Sequence, residues 1–338
     1  MGFYALWAFI PLLLTPKVGM LIMGKFSKLF KKVGGFNVLK QYAKAHVLCY
    51  ALTQAAMNGL SKKSLELVRL GVEHKIYRRL NKKFSKFISA HVAANPAESA
   101  VQKHNPIIWT IWLQGMDQAP EIVQKCYASM KKSITDRPIV VITEENFKDY
   151  VTFPDYIMEK YEKGIISKVH FADLLRVELL ATHGGTWLDG TVFCSSAPFQ
   201  NYVLDSELFL FQTLKPGLDG HSIATSSWLM TAYSGNPIIL MTRALLHEYW
   251  KRYNYAVDYF ILHNFIQMSV EAYPQVWEKV VPFSNATPHL LLLRLFETFD
   301  ETVWEGIKGQ TSFHKLSYKF SPEDAQKENT YYQKVLNG

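Results

Sequence analysis

The sequence contains only three cysteines, which stand at positions 49, 126 and 194 and form no Cys-x-x-Cys pair. An odd number of scattered cysteines cannot build a disulfide framework or a cysteine zinc site. The sequence therefore excludes the small disulfide-rich proteins and favours a reducing compartment. It also has no repeat of fixed length, no heptad array and no collagen-like glycine period, which excludes solenoids, coiled coils and fibrous proteins.

Acidic residues are scarce near the amino terminus. Residues 1–105 contain 17 Lys/Arg and three acids, whereas the remainder contains 20 Lys/Arg and 26 acids. A basic arm before a mildly acidic body indicates an anionic partner. Because no nucleic-acid recognition motif is present, we expect an anionic membrane surface, contacted through residues 1–88, and no nucleic acid.

The first residues are strongly apolar. No charge occurs in residues 2–15 (GFYALWAFIPLLLT), and the apolar run resumes at 18–23 (VGMLIM). Pro11 and Pro16 interrupt any helix here, and the longest uninterrupted piece is shorter than the ~20 residues that span a bilayer. Three alternatives remain: an interfacial segment, a single membrane anchor, or burial in the protein's own core. We expect a protein bound peripherally to the cytoplasmic face of the cell membrane.

The stretch from Ser61 to Ile88 has the pattern of a basic amphipathic helix. Apolar residues recur every three or four positions: Leu65, Val68, Val72, Ile76, Leu80, Phe84 and Phe87. Nine Lys/Arg residues occupy the other faces. This pattern is typical of a helix that lies on a membrane surface. The alternative is a solvated face on a helical subdomain.

The body that follows alternates strands and helices. Ile107–Leu113 predicts a strand, Glu121–Ile134 a helix and Pro138–Thr143 a second strand. This order indicates a parallel sheet with crossover helices, in which ligands bind at the carboxyl ends of the strands. A helix should then begin after Ser167 and end at Gly184-Gly185.

Charged residues in and after this helix are candidate site residues. Asp173 and Arg176 are three apart and share one helix flank, which is compatible with an ordinary ion pair. Residues 186–193 (TWLDGTVF) alternate as one strand, with Asp189 and Thr191 on one face. An acid among Trp, Leu and Val is costly to bury without a cation or strong donors, so Asp189 suits contact with a polar or metal-bound ligand.

These residues resemble the DxD region of GT-A-type glycosyltransferases, and more closely the bacterial capsular polysaccharide synthesis protein family. The matching motifs are IIWTIWLQGMDQAP (107–120), TEEN (143–146), D-x-x-R (173–176), GG-x-W-x-D (184–189), SSW (226–228), DYF (258–260), SN-x-x-PH (284–289) and HKL-x-x-K (314–319). Each motif is weak alone, but their order and spacing together are specific.

The resemblance implies a GT-A-like (Rossmann-like) mixed α/β sheet flanked by helices, over residues 106–320. Residues 1–105 would form a basic helical region and residues 321–338 a polar carboxyl-terminal tail. The implied reaction moves a sugar from a nucleotide-sugar, such as a UDP-sugar, to a lipid-linked or growing surface polysaccharide, with retention of configuration. Two alternatives are a non-catalytic membrane adaptor that keeps the fold and a sugar-phosphate transferase.

The resemblance also implies roles for individual residues. Donor-binding residues would be Trp109, Thr110, Gln114, Thr143, Asp173, Arg176, Gly185, Thr191, Lys315 and Lys319. Contacts to the sugar or acceptor would come from Ser226, Ser227, Trp228 and His289. Asp189 and Asp258 would be catalytic, although Asp258 also suits a helix cap and His289 a buried core histidine.

The implied cofactor is a divalent metal, Mn²⁺ or Mg²⁺, held by Asp189 and His314. One departure from the family pattern bears on it, because Thr191 stands where DxD has its second Asp. One carboxylate and one hydroxyl form a poorer metal site than two carboxylates. The alternative is direct neutralisation of the diphosphate by Lys315 or Lys319.

Overall fold

The computed structural model describes residues 35–97, 100–195, 199, 201–213 and 225–337. The apolar segment considered as a membrane anchor, residues 2–23, lies outside these ranges. Within them, no helix combines the length and the hydropathy that a membrane span requires. The chain divides into two compact units, Met1–Ile76 and Tyr77–Gly338.

The described part of the first unit is helical. Its elements are α1 (Gly35–Lys44), α2 (Leu48–Asn58) and the first half of α3 (Lys62–Ala94). The apolar stripe predicted on α3 is buried at Val68, Val72, Ile76, Leu80 and Phe84. The apolar stripe therefore packs inside the protein, and contact of this helix with a membrane stays a prediction.

The second unit is built on a five-stranded mixed sheet with the strand order β2-β1-β3-β6-β5. The strands are β1 (Ile108–Ile111), β2 (Ile139–Ile142), β3 (Gly185–Leu188), β5 (Leu208–Gln212) and β6 (Thr225–Ala232). Strands β1, β2 and β3 are parallel, and β6 pairs antiparallel with both β3 and β5. The expected mixed α/β sheet is confirmed.

Helices cover this sheet and connect its strands. In chain order they are α4 (Glu121–Ser133), α5 (Asp155–Glu162), α6 (Lys168–His183), α7 (Asn201–Leu204), α8 (Pro237–Arg252), α9 (Ile261–Ala272), α10 (Pro274–Trp277), α11 (Leu290–Arg294), α12 (Glu301–Lys308), α13 (Pro322–Ala325) and α14 (Tyr331–Asn337). The caps predicted for α6 are present, since Ser167 Oγ accepts a hydrogen bond from the His170 amide and Gly184 ends the helix at φ 71°.

The predicted strand 186–193 is wrong as a single element. The chain turns at Asp189-Gly190-Thr191, and β4 (Val192–Cys194) leaves the main sheet to pair with β7 (Phe313–Lys315). Gly190 permits this turn because a Cβ there would lie 3.3 Å from the Ile111 carbonyl oxygen. The turn therefore rests against the end of β1.

The carboxyl-terminal segment is also different from the expected loose polar tail. Helix α14 buries Tyr331, Tyr332, Val335 and Leu336. These side chains belong to one apolar cluster with residues of α4 and α12, including Val123 and Trp304. Their apolar contacts make the last helix part of the core of the second unit.

Candidate functional site

The candidate site lies at the edge of the sheet where β1, β2 and β3 end and the antiparallel β6 begins. Asp189 follows β3 directly, and its amide donates a 2.9 Å hydrogen bond to the Trp228 carbonyl on β6. Because parallel strands present their carboxyl ends at one edge, Asp189 shares this edge with the loops after β1 and β2. This is where open α/β sheets bind ligands.

Asp189 is surrounded by donors and positive charge. Its Oδ1 accepts hydrogen bonds from Trp187 Nε1 at 2.9 Å and from Arg176 Nη2 at 3.3 Å. Its Oδ2 lies 3.4 Å from Lys315 Nζ. The side chain still keeps 26% of its exposure, so a ligand can approach it from solvent.

Arg176 connects four groups at this edge. Its guanidinium lies 4.8 Å from the centre of the Trp187 ring, and its Nη1 donates to the Ser227 carbonyl. Its Nη2 contacts Asp189 and also lies 3.6 Å from Asp173 Oδ1. The intrahelical pair Asp173–Arg176 is present and is part of a buried network that also includes Asp189.

Lys315 reaches the same carboxylate from the second sheet. The register pairs it with Val192, and Lys315 Nζ donates a hydrogen bond to Thr191 Oγ1. The Leu316 amide also donates to the Thr191 carbonyl at 2.9 Å. The short β4–β7 sheet therefore places one ammonium group between Asp189 and Thr191.

The two carboxyl groups beside Arg176 differ in their protonation. Burial raises the pKa of Asp173 to about 7, against the opposing charge of Arg176. Burial also acts to raise the pKa of Asp189, but Arg176, Lys315 and the Trp187 hydrogen bond together hold it below its usual value. At neutral pH Asp189 is an anion, whereas Asp173 is poised to gain or lose a proton.

A cleft of about 660 Å³ opens at the ends of β1 and β2. Its lining includes Gln114, Thr143, Glu144, Tyr161, Ser167 and Lys168. The Tyr161 ring stacks on Phe171 at 3.7 Å, and its hydroxyl donates to Glu144 at 2.8 Å. Gln114 and Thr143, both predicted to bind the donor, line this cleft. Tyr161 was missed because no sequence signal separates it from the many packing tyrosines.

Three predicted donor-binding residues lie away from the cleft. Trp109 is buried, and its indole Nε1 donates a 2.9 Å hydrogen bond to the Gly184 carbonyl. Thr110 has no exposed surface. Gly185 opens β3 at the opposite edge of the sheet, where a Cβ would lie 2.5 Å from the Ile107 carbonyl oxygen. Trp109 and Gly185 thus have structural contacts within the sheet, and the donor-binding role of all three residues stays a prediction.

The SSW motif lies at the correct edge but contributes through its main chain. The Ser227 carbonyl accepts a hydrogen bond from the Arg176 guanidinium, and the Trp228 carbonyl accepts one from the Asp189 amide. The Trp228 indole is buried, stacked on Phe211 at 4.5 Å, and donates to Asn285 Oδ1 at 2.8 Å. It therefore offers no open face to a sugar. Ser226 is buried as well, and its hydroxyl donates to the Phe211 carbonyl at 3.3 Å.

The remaining predicted residues surround the edge at different depths. His289 is half-buried, contacts the Asn285 carbonyl at 2.7 Å through Nδ1, and has a pKa lowered by burial and by the charge of Lys315. Lys319 is exposed, with its ammonium 5.7 Å from the centre of the Tyr318 ring. Tyr318 in turn contacts Trp112, which follows β1, at 5.5 Å.

Asp258 packs at the start of α9. Its Oδ2 accepts a hydrogen bond from Asn264 Nδ2 at 3.4 Å, and its side chain is buried. Because this contact joins two side chains, the expected alternative of a helix cap stays a prediction. The role of a base facing the acceptor remains a prediction.

His263, on the first turn of α9, lies close enough to the cluster for its charges to act on the ring, and sequence reasoning did not single it out. Burial lowers its pKa to about 4, and the charges of Arg176 and Asp189 also act on it. Its Nδ1 is buried and has no hydrogen-bond partner among the residues that the structure describes. The only sequence signal was its position five residues after Asp258, which is too weak to be used alone.

The donor set does not fit a divalent metal. Both oxygens of Asp189 already contact cationic side chains, and the Thr191 hydroxyl is bound by Lys315. His314 points to the other face of β7, where Nε2 contacts Ser195 Oγ at 2.8 Å and the ring packs against Trp304. A doubly charged ion about 4 Å from a fixed ammonium would meet roughly 8 kcal/mol of repulsion at an effective dielectric constant of about 20. The expected pairing of Asp189 with His314 therefore finds no support in these contacts.

The family of the chain follows from its sequence match. The sequence model of the capsular polysaccharide synthesis proteins matches residues 58–335, which is well over half of the chain. The chain belongs to this family. The resemblance drawn from the motifs is thereby confirmed, and the match extends into helix α14, whose apolar residues are buried in the core.

Other comparisons are more distant. No curated protein matches the chain. Among solved structures, one similar chain is described as "PaToxG Glycosyltransferase". It has 16% sequence identity and a TM-score of 0.35, and the alignment covers 80% of this chain and 96% of that one.

Proposed function

We propose that this member of the capsular polysaccharide synthesis protein family is a glycosyltransferase. The donor would be a nucleotide-sugar, with UDP-sugars as the first candidates, and the acceptor a lipid-linked or growing capsular polysaccharide. The observation that carries the proposal is the cluster of Asp189, Arg176 and Lys315 at the carboxyl edge of the sheet, an edge that also borders the 660 Å³ cleft. Such an edge is the usual site for a nucleotide in an open α/β sheet.

In the proposed reaction the main task of the protein is to stabilise the leaving group, and the protein itself forms no covalent bond with the sugar. The bond between the sugar C1 and the β-phosphate oxygen breaks, and the acceptor hydroxyl oxygen bonds to C1. The departing diphosphate keeps the electron pair and takes up the proton of the hydroxyl. Arg176 and Lys315 are the cations available to the growing negative charge. Transfer of the proton to the diphosphate on the same face accords with retention of configuration, which is part of the proposal.

The slow hydrolysis of a donor by water tests this function without knowledge of the acceptor. We expect the full-length protein to hydrolyse one nucleotide-sugar of a panel and to release a nucleoside diphosphate. Asp189→Ala should abolish the activity because Arg176 and Lys315 lose the carboxylate that holds them. Asp149→Ala, at an exposed aspartate, is the matched control. Release of a nucleoside monophosphate would indicate sugar-phosphate transfer, and inertness towards every donor would favour the adaptor alternative.

We also propose that the chain docks peripherally on an anionic membrane at the cytoplasmic face. Helix α3 supports this with exposed basic side chains: Lys62, Lys63, Arg69, Arg78, Arg79, Lys82, Lys83 and Lys86. Leu67 and Leu70 are exposed beside them, 59% and 45% respectively. Basic side chains near an acidic bilayer contribute about 1 kcal/mol each. Docking would raise the effective concentration of a lipid-linked acceptor.

Vesicle sedimentation tests the docking. The full-length protein should sediment with vesicles that contain phosphatidylserine and less with pure phosphatidylcholine, and added salt should weaken binding. A double variant, Arg78→Glu with Arg79→Glu, should bind more weakly than wild type. Equal binding to both kinds of vesicle would contradict an electrostatic contact.

A further inference from the structure

Lys315 lies between the two residues that align with the carboxylates of a DxD motif. In that motif two carboxylates, two residues apart, share one cation. Here the first position is Asp189 and the second is Thr191, and the Lys315 ammonium contacts both of them. The ammonium is therefore positioned between the two motif residues, with about a fifth of its side chain (19%) still exposed towards solvent.

We propose that Lys315, together with Arg176, binds the diphosphate of the donor in place of a divalent metal, and that nucleotide binding by this protein is metal-independent. The inference rests on the proposed function, since it concerns the diphosphate of a nucleotide donor. Two neighbouring cationic side chains suit an anion that has two or more oxygen atoms, and a diphosphate is such an anion.

The charge balance of the cluster supports this assignment. Arg176 and Lys315 both contact Asp189, so two positive groups share one fully ionised carboxylate. Asp173, the second carboxyl group beside Arg176, is partly protonated at neutral pH because burial raises its pKa to about 7. The cluster is thus cationic before a ligand binds, which favours an anion and disfavours a second cation.

Asp189 then has a different role from a metal ligand. It holds the guanidinium and the ammonium at one place through separate oxygens, Oδ1 for Arg176 and Oδ2 for Lys315. We classify it as a positioning residue. Its replacement by Asn should weaken diphosphate binding without creating a requirement for metal.

Calorimetric titration of the full-length protein tests the inference, with UDP, GDP and ADP as probes and each nucleoside monophosphate for comparison. We expect one diphosphate to bind in the presence of EDTA, with less than about a threefold change when Mn²⁺ or Mg²⁺ replaces the chelator. Lys315→Met should weaken that binding by about 10- to 100-fold, the effect of losing one charge-assisted hydrogen bond. The monophosphate should lose less.

Two further variants keep the result interpretable. Lys315→Arg preserves the positive charge and should retain most of the affinity, which also shows that the position tolerates substitution. Lys327→Met removes an exposed lysine that pairs with the nearby Asp324, and this variant should bind nucleotide as wild type does. Melting curves of all variants show whether they are folded.

The outcomes separate this inference from the proposed function. A diphosphate that binds only with Mn²⁺ or Mg²⁺ overturns metal independence and leaves the glycosyltransferase proposal standing. Metal-free binding that Lys315→Met does not weaken overturns the role of Lys315. Failure of every diphosphate to bind, with and without metal, contradicts both proposals.

Discussion

Asp173 is expected to destabilise the folded protein progressively as the pH rises from acid to neutral. Its pKa rises from 3.8 to about 7 because its carboxyl group is buried. A carboxyl group whose pKa is raised on folding binds its proton more tightly in the folded state. Folding therefore loses stability as the pH rises from the unfolded value through the folded one, and the loss is complete above pH 7.

The size of the effect follows from the shift. At ~1.4 kcal/mol per pKa unit, the rise of about three units corresponds to roughly 4 kcal/mol above pH 7, and to less than half of that at pH 5. Asp173→Asn keeps the shape of the side chain and removes its titration. Relative to wild type, the variant should gain about 3 kcal/mol of unfolding free energy between pH 5 and pH 8.

Urea unfolding of both proteins at several pH values measures this difference. Histidines with lowered pKa, such as His263, add an opposite slope at acid pH, but it is common to both proteins and cancels. The lowered pKa of Asp189 acts only below the range studied. Asp149→Asn, at an exposed site, controls for the loss of one charge. A wild-type-to-variant difference that does not change with pH would refute a buried, protonated Asp173.

Three other substitutions test roles that the structure suggests. Trp109→Phe should cost about 1–3 kcal/mol in urea unfolding, because the buried Gly184 carbonyl loses its donor, and should leave nucleotide affinity unchanged in calorimetry; a tenfold loss of affinity would restore Trp109 to the binding site. Leu336→Ala should cost about 2–4 kcal/mol if α14 belongs to the core, whereas a loose tail would tolerate it without a change in melting temperature. Ser227→Ala should bind nucleotide as wild type does, since Arg176 donates to the main-chain carbonyl; loss of binding would show that the hydroxyl matters.

Elements with strong local signals were predictable from the sequence. The strands β1 and β2 and the helix α4 between them fall within two residues of their expected bounds. Helix α6 begins and ends at the expected caps, Ser167 and Gly184. In each case the information lies within a few residues, such as an apolar run, a capping side chain or a glycine with positive φ.

The break between β3 and β4 was not predictable in the same way. The alternation of side chains over residues 186–193 is compatible both with one strand and with two short strands joined by a turn. What separates the two is the pairing of β4 with β7, whose residues lie more than a hundred positions later in the chain. The local pattern of apolar and polar residues does not report a pairing of such long range. The β4–β7 sheet, which carries Lys315, could therefore not be predicted from that pattern.

The SSW motif shows a second limit of sequence reasoning, because a motif does not reveal main-chain contacts. Sequence motifs are defined by side-chain identity, and the SSW motif suggested that two hydroxyl groups and an indole face contact a sugar. At this edge the fold uses the Ser227 and Trp228 carbonyls to hold Arg176 and Asp189, while the Trp228 indole packs on Phe211. Any residue type can supply a main-chain carbonyl. Packing therefore determines which side chains stand at positions 227 and 228, whereas the backbone conformation determines which groups their carbonyls contact. The side chains of the cluster itself are different in kind: a carboxylate, a guanidinium and an ammonium group have no main-chain substitutes, and the chemistry of the site depends on them.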